Sequence, residues 1–342
     1  MITPANFLTN NHLVELRRLL LNESSIDHIV VIDGGVFRGI SVDNAIFAVQ
    51  RGSPSRRIRV AHARPTKEGF QQTSEASISA SRVANDQYLL FTGTTAGTAQ
   101  RMWERVTTRS VALGAVAHVN FGKQLRDRTE YPGDVIQVRD RRSVKRPYSP
   151  CYTGRDIHRY HLAWGSLACL DDEIARRGGC WDAERQNAKN KLLTRQVGRY
   201  PEFAFDSEGY QRLNTAFMII ARGDVSPLFL LGVLNSKLLR MLWLGRFYDQ
   251  RRTFPKIKGT YLKELPIPAV SISDRPARAR CDRLVALVDG MLALHKHLAT
   301  SRSEHDSTVL QRQIEATDRQ IDQSVYELYG LTEEEIKIVE SS

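Results

Sequence analysis

At 342 residues the chain is long enough for two or three domains, and 42% apolar with 25% charged side chains is ordinary for a globular protein with a sizeable core. A net charge of +11 points to a polyanionic partner, either nucleic acid or an anionic membrane surface. Four scattered cysteines exclude a disulfide framework, and no apolar run reaches membrane-spanning length.

The opening MITPANFLTNNHL lacks the basic-then-apolar pattern of a secretory signal, so a reducing cytoplasm is the expected location. NNHLVELRRLLLNESS predicts a short amphipathic helix, capped by Asn10 or Asn11, with Leu13, Leu16, Leu19 and Leu20 on one face. A buried strand over Ile29–Ile32 ends in a Gly-Gly turn, and a second strand covers Ala45–Gln50. Helix, strand, loop and strand describe the closing part of an α/β sheet, ending in an antiparallel pair, over residues 1–65. Residues 66–82, rich in Thr, Ser and Gln, are expected to be a linker.

From 83 to 270 the short apolar pieces QYLLF, GAVAHVNF, DVIQVRD, KLLTRQV and TAFMII alternate with Gly-, Pro- and Arg-rich turns. They predict a mixed α+β domain. PLFLLGVLNSKLLRMLW is too apolar for a surface helix and belongs in that domain's core. Over 271–342 the character changes again. Cys281, Leu284, Val288, Met291, His295 and Leu298 fall at spacings of three and four, and Leu310, Ile314, Thr317, Ile321, Val325 and Leu328 nearly repeat them. Two helices joined by the polar TSRSEHDS should pack as an antiparallel hairpin before an acidic tail.

Catalytic motifs are missing from this stretch of sequence. It contains no G-x-G-x-x-G and no phosphate-cradling G-x-x-x-x-G-K-[ST]. His158 and His161, flanked by Cys151 and Cys169, have no common zinc-ligand spacing and are better read as polar loop residues. The acid-x-Lys pair Glu335-Ile336-Lys337 has no upstream acid to complete a metal-dependent nuclease. Cations, by contrast, cluster. Five fall between Arg185 and Arg199 with no acid, and eight between Lys237 and Lys263 against Asp249 alone. NKLLTRQVGRY supplies Lys191, Arg195, Gln196 and Arg199; GRFYDQRRTFPKIK supplies Arg246, Arg251, Arg252, Lys256 and Lys258. Arg and Gln read base edges through paired hydrogen bonds, while Lys and Arg on loops neutralise phosphates. Arg195 is the preferred base reader, with Arg155, Gln196 and Arg246 as further candidates and Lys191 and Arg199 as phosphate contacts.

Several stretches in order resemble the C-terminal two-thirds of a gamma-class adenine-specific DNA methyltransferase with a TaqI-like C-terminal specificity domain. The same arrangement occurs in single-chain type IIG restriction-modification enzymes and in phage-defence methyltransferases. ITPANFLTNNHLVELRRLLL resembles a late strand and helix of the catalytic sheet, and GGVFRGISVDNAIFAV its next motif. YSPCYTGRDIHRY resembles the start of the target recognition domain, KLLTRQVGRY its central strand, LLGVLNSKLL its buried helix and KIKGTYLKELPIP its close. QIDQSVYELYGLTEEEI resembles a common type IIG ending.

The resemblance implies a chain that recognises double-stranded DNA and positions a target adenine, with Phe37 stacking on the extruded base. It also implies an S-adenosylmethionine loop and an Asn-Pro-Pro-Tyr stretch, and neither occurs in this sequence. No cofactor is therefore expected on this chain. Methyl transfer would need a separate catalytic half or subunit, and the first sheet would expose a strand edge around Ile29–Ile32 for it to cover. The alternatives are a non-catalytic specificity subunit of a type I-like system and an inactive truncated fragment.

Overall fold

Buried apolar positions along three strands order the first sheet. The computed structural model describes residues 1–8, 13–32, 36, 44–85, 96–248, 255–269 and 274–341. Two units emerge: Met1–Glu104 with Leu242–Lys256, and Arg105–Met241 with Ile257–Ser342. The first contains β1 (Ile2–Pro4), α1 (Val14–Glu23), β2 (Ser24–Ile32), β3 (Asn44–Arg51), β4 (Arg57–Thr66), β5 (Gly69–Ser79) and α2 (Ala80–Ala84). Its strand order is β1-β3-β2-β4-β5, with β2 parallel to β4 and the other pairs antiparallel. Ile26, Ile29, Val31, Phe47, Ile58 and Val60 face Phe7, Leu8 and Leu21 in one core, where Phe7 meets Phe47 edge-on at 5.1 Å. Arg17 is buried there and donates from Nη1 to the Phe7 carbonyl at 2.6 Å.

Two expectations need correction in this unit. Residues 66–82 are not a linker: β5 pairs with β4 from Arg57↔Ser79 to Thr66↔Gly69. Its Thr, Ser and Gln side chains are mostly exposed, so the backbone ladder holds the strand and composition alone looks like a loop. The Ile29–Ile32 segment is not a sheet edge either, because β3 and β4 flank it on both sides. The Asn10 and Asn11 caps, the Gly-Gly turn and QYLLF lie outside the described residues.

α3 (Ala96–Thr107) runs across the unit boundary into the second unit. There the chain forms β6 (Ser110–Ala112), α4 (Leu113–Val116), β7 (Ala117–Phe121), β8 (Val135–Gln137), β9 (Tyr148–Tyr152), β10 (Ile157–His158), β11 (His161–Leu162) and β12 (Leu167–Leu170). α5 (Ala183–Asn187), β13 (Lys191–Arg195), β14 (Phe203–Asp206), β15 (Gln211–Arg212) and β16 (Ala216–Ala221) follow. Helices α6 (Pro227–Leu234), α7 (Lys237–Arg246, which from Leu242 belongs to the first unit) and α8 (Gly259–Glu264) precede β17 (Pro266–Pro268), α9 (Arg275–Thr300), α10 (Glu304–Tyr329) and α11 (Glu333–Glu340).

The central sheet runs β14-β13-β16-β7, all antiparallel, beside a second sheet ordered β15-β9-β12-β8. α6 is buried from Phe229 to Leu234 and packs on β13, β14 and β16, with α9 on its other side. The expected single helix over 227–243 is in fact two, bent by 60° at Asn235-Ser236. Asn235 leaves the helix to exchange two 2.9 Å bonds with the Phe203 backbone, and Ser236 then caps α7 by accepting from Leu239 N at 3.3 Å. No single helix among the described residues is long and apolar enough to cross a membrane.

α9 and α10 form the expected hairpin, closed by Ser303 capping α10, while Gly330 ends α10 at φ 63°. Leu284, Val288 and Met291 are fully buried. Polar contacts complete the docking. Arg159 donates to both oxygens of Asp318 at 2.6 and 2.7 Å and to the Asn235 carbonyl, while Asp322 accepts the Lys237 amide at 2.8 Å. The other Asp322 oxygen is buried without a partner, and burial pushes this carboxyl up to about 6.

The folded chain thus holds the Asp322 proton more tightly than the unfolded chain, whose ordinary value is 3.8. This group's contribution to stability is present at low pH and lost as pH rises through about 6. Asp322→Asn keeps an acceptor for Lys237 without the buried charge. It should raise stability by about 1–3 kcal/mol at pH 7.5 and lose that advantage below pH 4, measured by urea melts at both pH values.

Candidate nucleic-acid interface

β13 begins buried and ends at the surface. Lys191, Leu192, Leu193 and Thr194 are buried, Arg195 and Gln196 half-buried, and Arg199 exposed. Both faces of the strand are covered, as its apolar sequence requires, and exposure starts only where pairing with β16 ends at Arg195↔Ala216.

Three further segments converge on that end. The Gln196 amide donates to the Thr215 carbonyl at 2.8 Å, and the Ile257 amide donates to the Gln196 carbonyl at 2.8 Å. The turn carrying Arg155 is fixed by Asp156, which accepts from the Thr153 amide and hydroxyl at 2.5 and 2.9 Å and from the Gly165 amide at 3.0 Å. Gly154 donates to the Thr215 hydroxyl at 2.9 Å; a Cβ there would lie 2.6 Å from the Thr215 carbonyl oxygen, so only glycine fits. Arg155 is exposed beside this contact. Lys258 caps α8 and places its Nζ 4.9 Å over the Tyr261 ring. One end of the central sheet therefore gathers Arg155, Arg195, Gln196 and Lys258, with Arg199 in the loop that follows β13.

Of the remaining candidates, Lys191 is inside the sheet, and Arg246 and Lys256 belong to the first unit. Lys191, expected to contact phosphate, is fully buried and cannot reach one. It pairs with the equally buried Asp206 at 2.7 Å and donates to the carbonyls of Gln186 and Ala188 at 3.2 and 2.5 Å. It lies where both faces of β13 are covered, a feature that a cation count does not register. Arg246 belongs to the first unit, half-buried 4.8 Å over the Trp103 ring. Lys256 is half-buried at the end of that unit's second segment. Arg251, Arg252 and Phe37 lie outside the described residues.

Sequence reasoning missed two residues near the sheet end. Glu202 accepts from Arg195 Nη2, and Arg240 lies 4.2 Å over the Tyr200 ring. Both line a cleft of about 90 Å³ with Arg159 and Lys237. Arg240 was hidden inside an apolar helix, and Glu202 is an acid just past a basic run; neither carries a local signal. His158 and His161 stack at 6.3 Å, and His161 stacks on His295 of α9 at 6.2 Å. Burial holds His161 and His295 below the usual imidazole range. No group of three or more metal-ligating side chains occurs among the described residues.

Residues 149–267 match the TaqI-like C-terminal specificity domain. No curated protein matches the sequence. Among solved structures, the type IIL restriction-modification enzyme MmeI in complex with DNA is similar at 10% identity and TM-score 0.54, covering 98% of this chain and 47% of that one. The type IIG restriction endonuclease BpuSI gives 13% identity and TM-score 0.38 over 96% and 47% of the two chains. The type I restriction-modification S subunit from M. genitalium gives 14% and 0.34 over 56% and 41%. The chain spans about half the length of the first solved structures it matches. At 10% identity the likeness to MmeI is one of fold. The family resemblance is confined to residues 149–267, which are similar to TaqI-like C-terminal specificity domains.

The buried pair yields a test of placement. Lys191→Met leaves the Asp206 charge unpaired inside the sheet and should cost about 3–5 kcal/mol in a urea melt. Adding Asp206→Leu should recover the part of that loss due to the unpaired charge, while the Glu208 and Gly209 amides, which donate to Asp206 Oδ1 at 3.0 Å, lose their acceptor.

Proposed function

We propose that this chain is the DNA-recognition part of an adenine-specific DNA methyltransferase or restriction-modification protein. The specificity-domain match over residues 149–267 carries the reading, and the fold shared with a DNA-bound restriction-modification enzyme along 98% of the chain supports it. The ligand is duplex DNA. Arg195 is assigned to a guanine, whose O6 and N7 fit a guanidinium fork, and Gln196 is the alternative reader, suited to adenine. Arg155, Arg199 and Lys258 are assigned to phosphates, which position the duplex without specifying it. Lys256, Arg246, Arg251 and Arg252 are flanking contacts.

The first unit is assigned as the closing part of a methyltransferase sheet, a reading supported by its mixed five-stranded order with one parallel pair. A stand-alone type I-like specificity subunit would have no use for that sheet, which favours the methyltransferase reading. Phe37 is assigned to stack on the flipped adenine. Methyl transfer from S-adenosylmethionine then belongs to a separate catalytic half or subunit, and the complex works in the cytoplasm.

A titration of duplex DNA across salt concentrations tests the core of this proposal. Each neutralised phosphate contributes about −0.9 to the slope of log affinity against log salt, so three to five contacts give a slope of about −3 to −4.5. Arg155→Ala and Arg199→Ala should each reduce its magnitude by about 1 and weaken all sequences alike. Arg195→Ala should instead cost about 1–3 kcal/mol on the preferred sequence and relax one base pair in a binding-site selection. Affinity indifferent to salt would refute DNA recognition.

A further inference from the structure

Glu202 follows Pro201 and immediately precedes β14, and it accepts a hydrogen bond from Nη2 of Arg195. The pair is set back from solvent, with the arginine side chain 32% exposed and the glutamate 19%. Backbone closes in around the arginine. The position of a Cβ on Gly154 lies 3.4 Å from the Arg195 Cβ, and one on Gly198 would lie 3.2 Å from its Nε. That Nε is buried without a hydrogen-bond partner. The guanidinium is therefore held on one side by a carboxylate, with its buried Nε packed close to Gly198.

We infer that Glu202 is a positioning residue for sequence discrimination, holding the Arg195 guanidinium plane for a base edge and away from the phosphates. The inference rests on the proposed DNA-recognition function. An unrestrained arginine has many rotamers and a strong electrostatic pull toward phosphate, where it adds affinity for every sequence. A carboxylate bonded to one Nη removes most of that freedom. It also cancels the net charge that would draw the side chain to the backbone. Discrimination gains from the fixed plane, while binding to random duplex is weakened by the added negative charge. An ordinary surface ion pair would do neither, since such pairs contribute little and leave no mark on sequence preference.

The experiment uses the full chain, a duplex carrying the sequence that the wild type selects from a random pool, and a random-sequence duplex, all at one salt concentration. Glu202→Gln should keep the thermal midpoint and bind random duplex at least as tightly as the wild type. Its preference at one base pair should fall by about tenfold or more, the range of a lost bidentate contact. Glu202→Asp, which keeps the charge, should retain more of that preference. Arg195→Lys, a point charge without a fork, should lose preference at the same base pair. Full preference in Glu202→Gln, or losses at different base pairs in the two single variants, would overturn the inference and leave DNA recognition standing. A wild type that shows no salt-dependent duplex binding would instead remove the proposed function, and the inference with it.

Discussion

Strand β13 brings Arg195 and Gln196 to the surface only at its end, because its first four residues are buried on both faces. α6 supplies one cover, packed on β13, β14 and β16, and its near-total apolarity follows from lying between that sheet and α9. The sharp exit at Asn235-Ser236 is part of the same arrangement. Asn235 satisfies the Phe203 backbone at the start of β14, so the helix stops where the sheet needs a partner. α7 then begins under the Asp322 carboxylate of α10, which ties the helical hairpin to the same core.

Charge is distributed inside the molecule as well as over it. Lys191 and Asp206 pair in the interior, Arg212 donates to the carbonyls of Gln186 and Arg185, and Lys123 pairs with Asp171 beneath Trp181. Burial pulls Arg212 down to about 10. These cations belong to the +11 total but cannot meet a polyanion. The exposed remainder near the sheet end is smaller and more ordered than the sequence clusters suggest. Its geometry comes from backbone bonds among Gln196, Thr215 and Ile257 and from the Gly154 amide donating to the Thr215 hydroxyl.

The two units illustrate different sources of structure. In the first, burial of Ile26, Ile29, Val31, Ile58 and Val60 orders the inner strands, while β5 is added through its backbone with little apolar burial. In the second, polar side chains make the junctions. Arg159 joins the Asn235 carbonyl to Asp318, and Tyr329 donates to the Pro266 carbonyl at 2.6 Å. Such groups are buried only because each finds a partner.

Local pattern was enough to reveal β2 and β3, the buried strand at 191–195, the apolar α6 and the α9–α10 hairpin, because period and burial are written into neighbouring residues. The order of motifs likewise pointed to a specificity domain of restriction-modification enzymes, and the match over residues 149–267 agrees. The β4–β5 hairpin escaped because its polar strand resembles a linker until a partner ladder is present. Lys191 and Arg195 sit four residues apart in one basic run, yet one is a buried structural cation and the other a half-exposed side chain held by Glu202. Sequence proximity makes them alike. Only the tertiary structure separates them, because the faces that β14, β16 and α6 cover, and the turns that converge on the strand's end, come from residues far away in the chain.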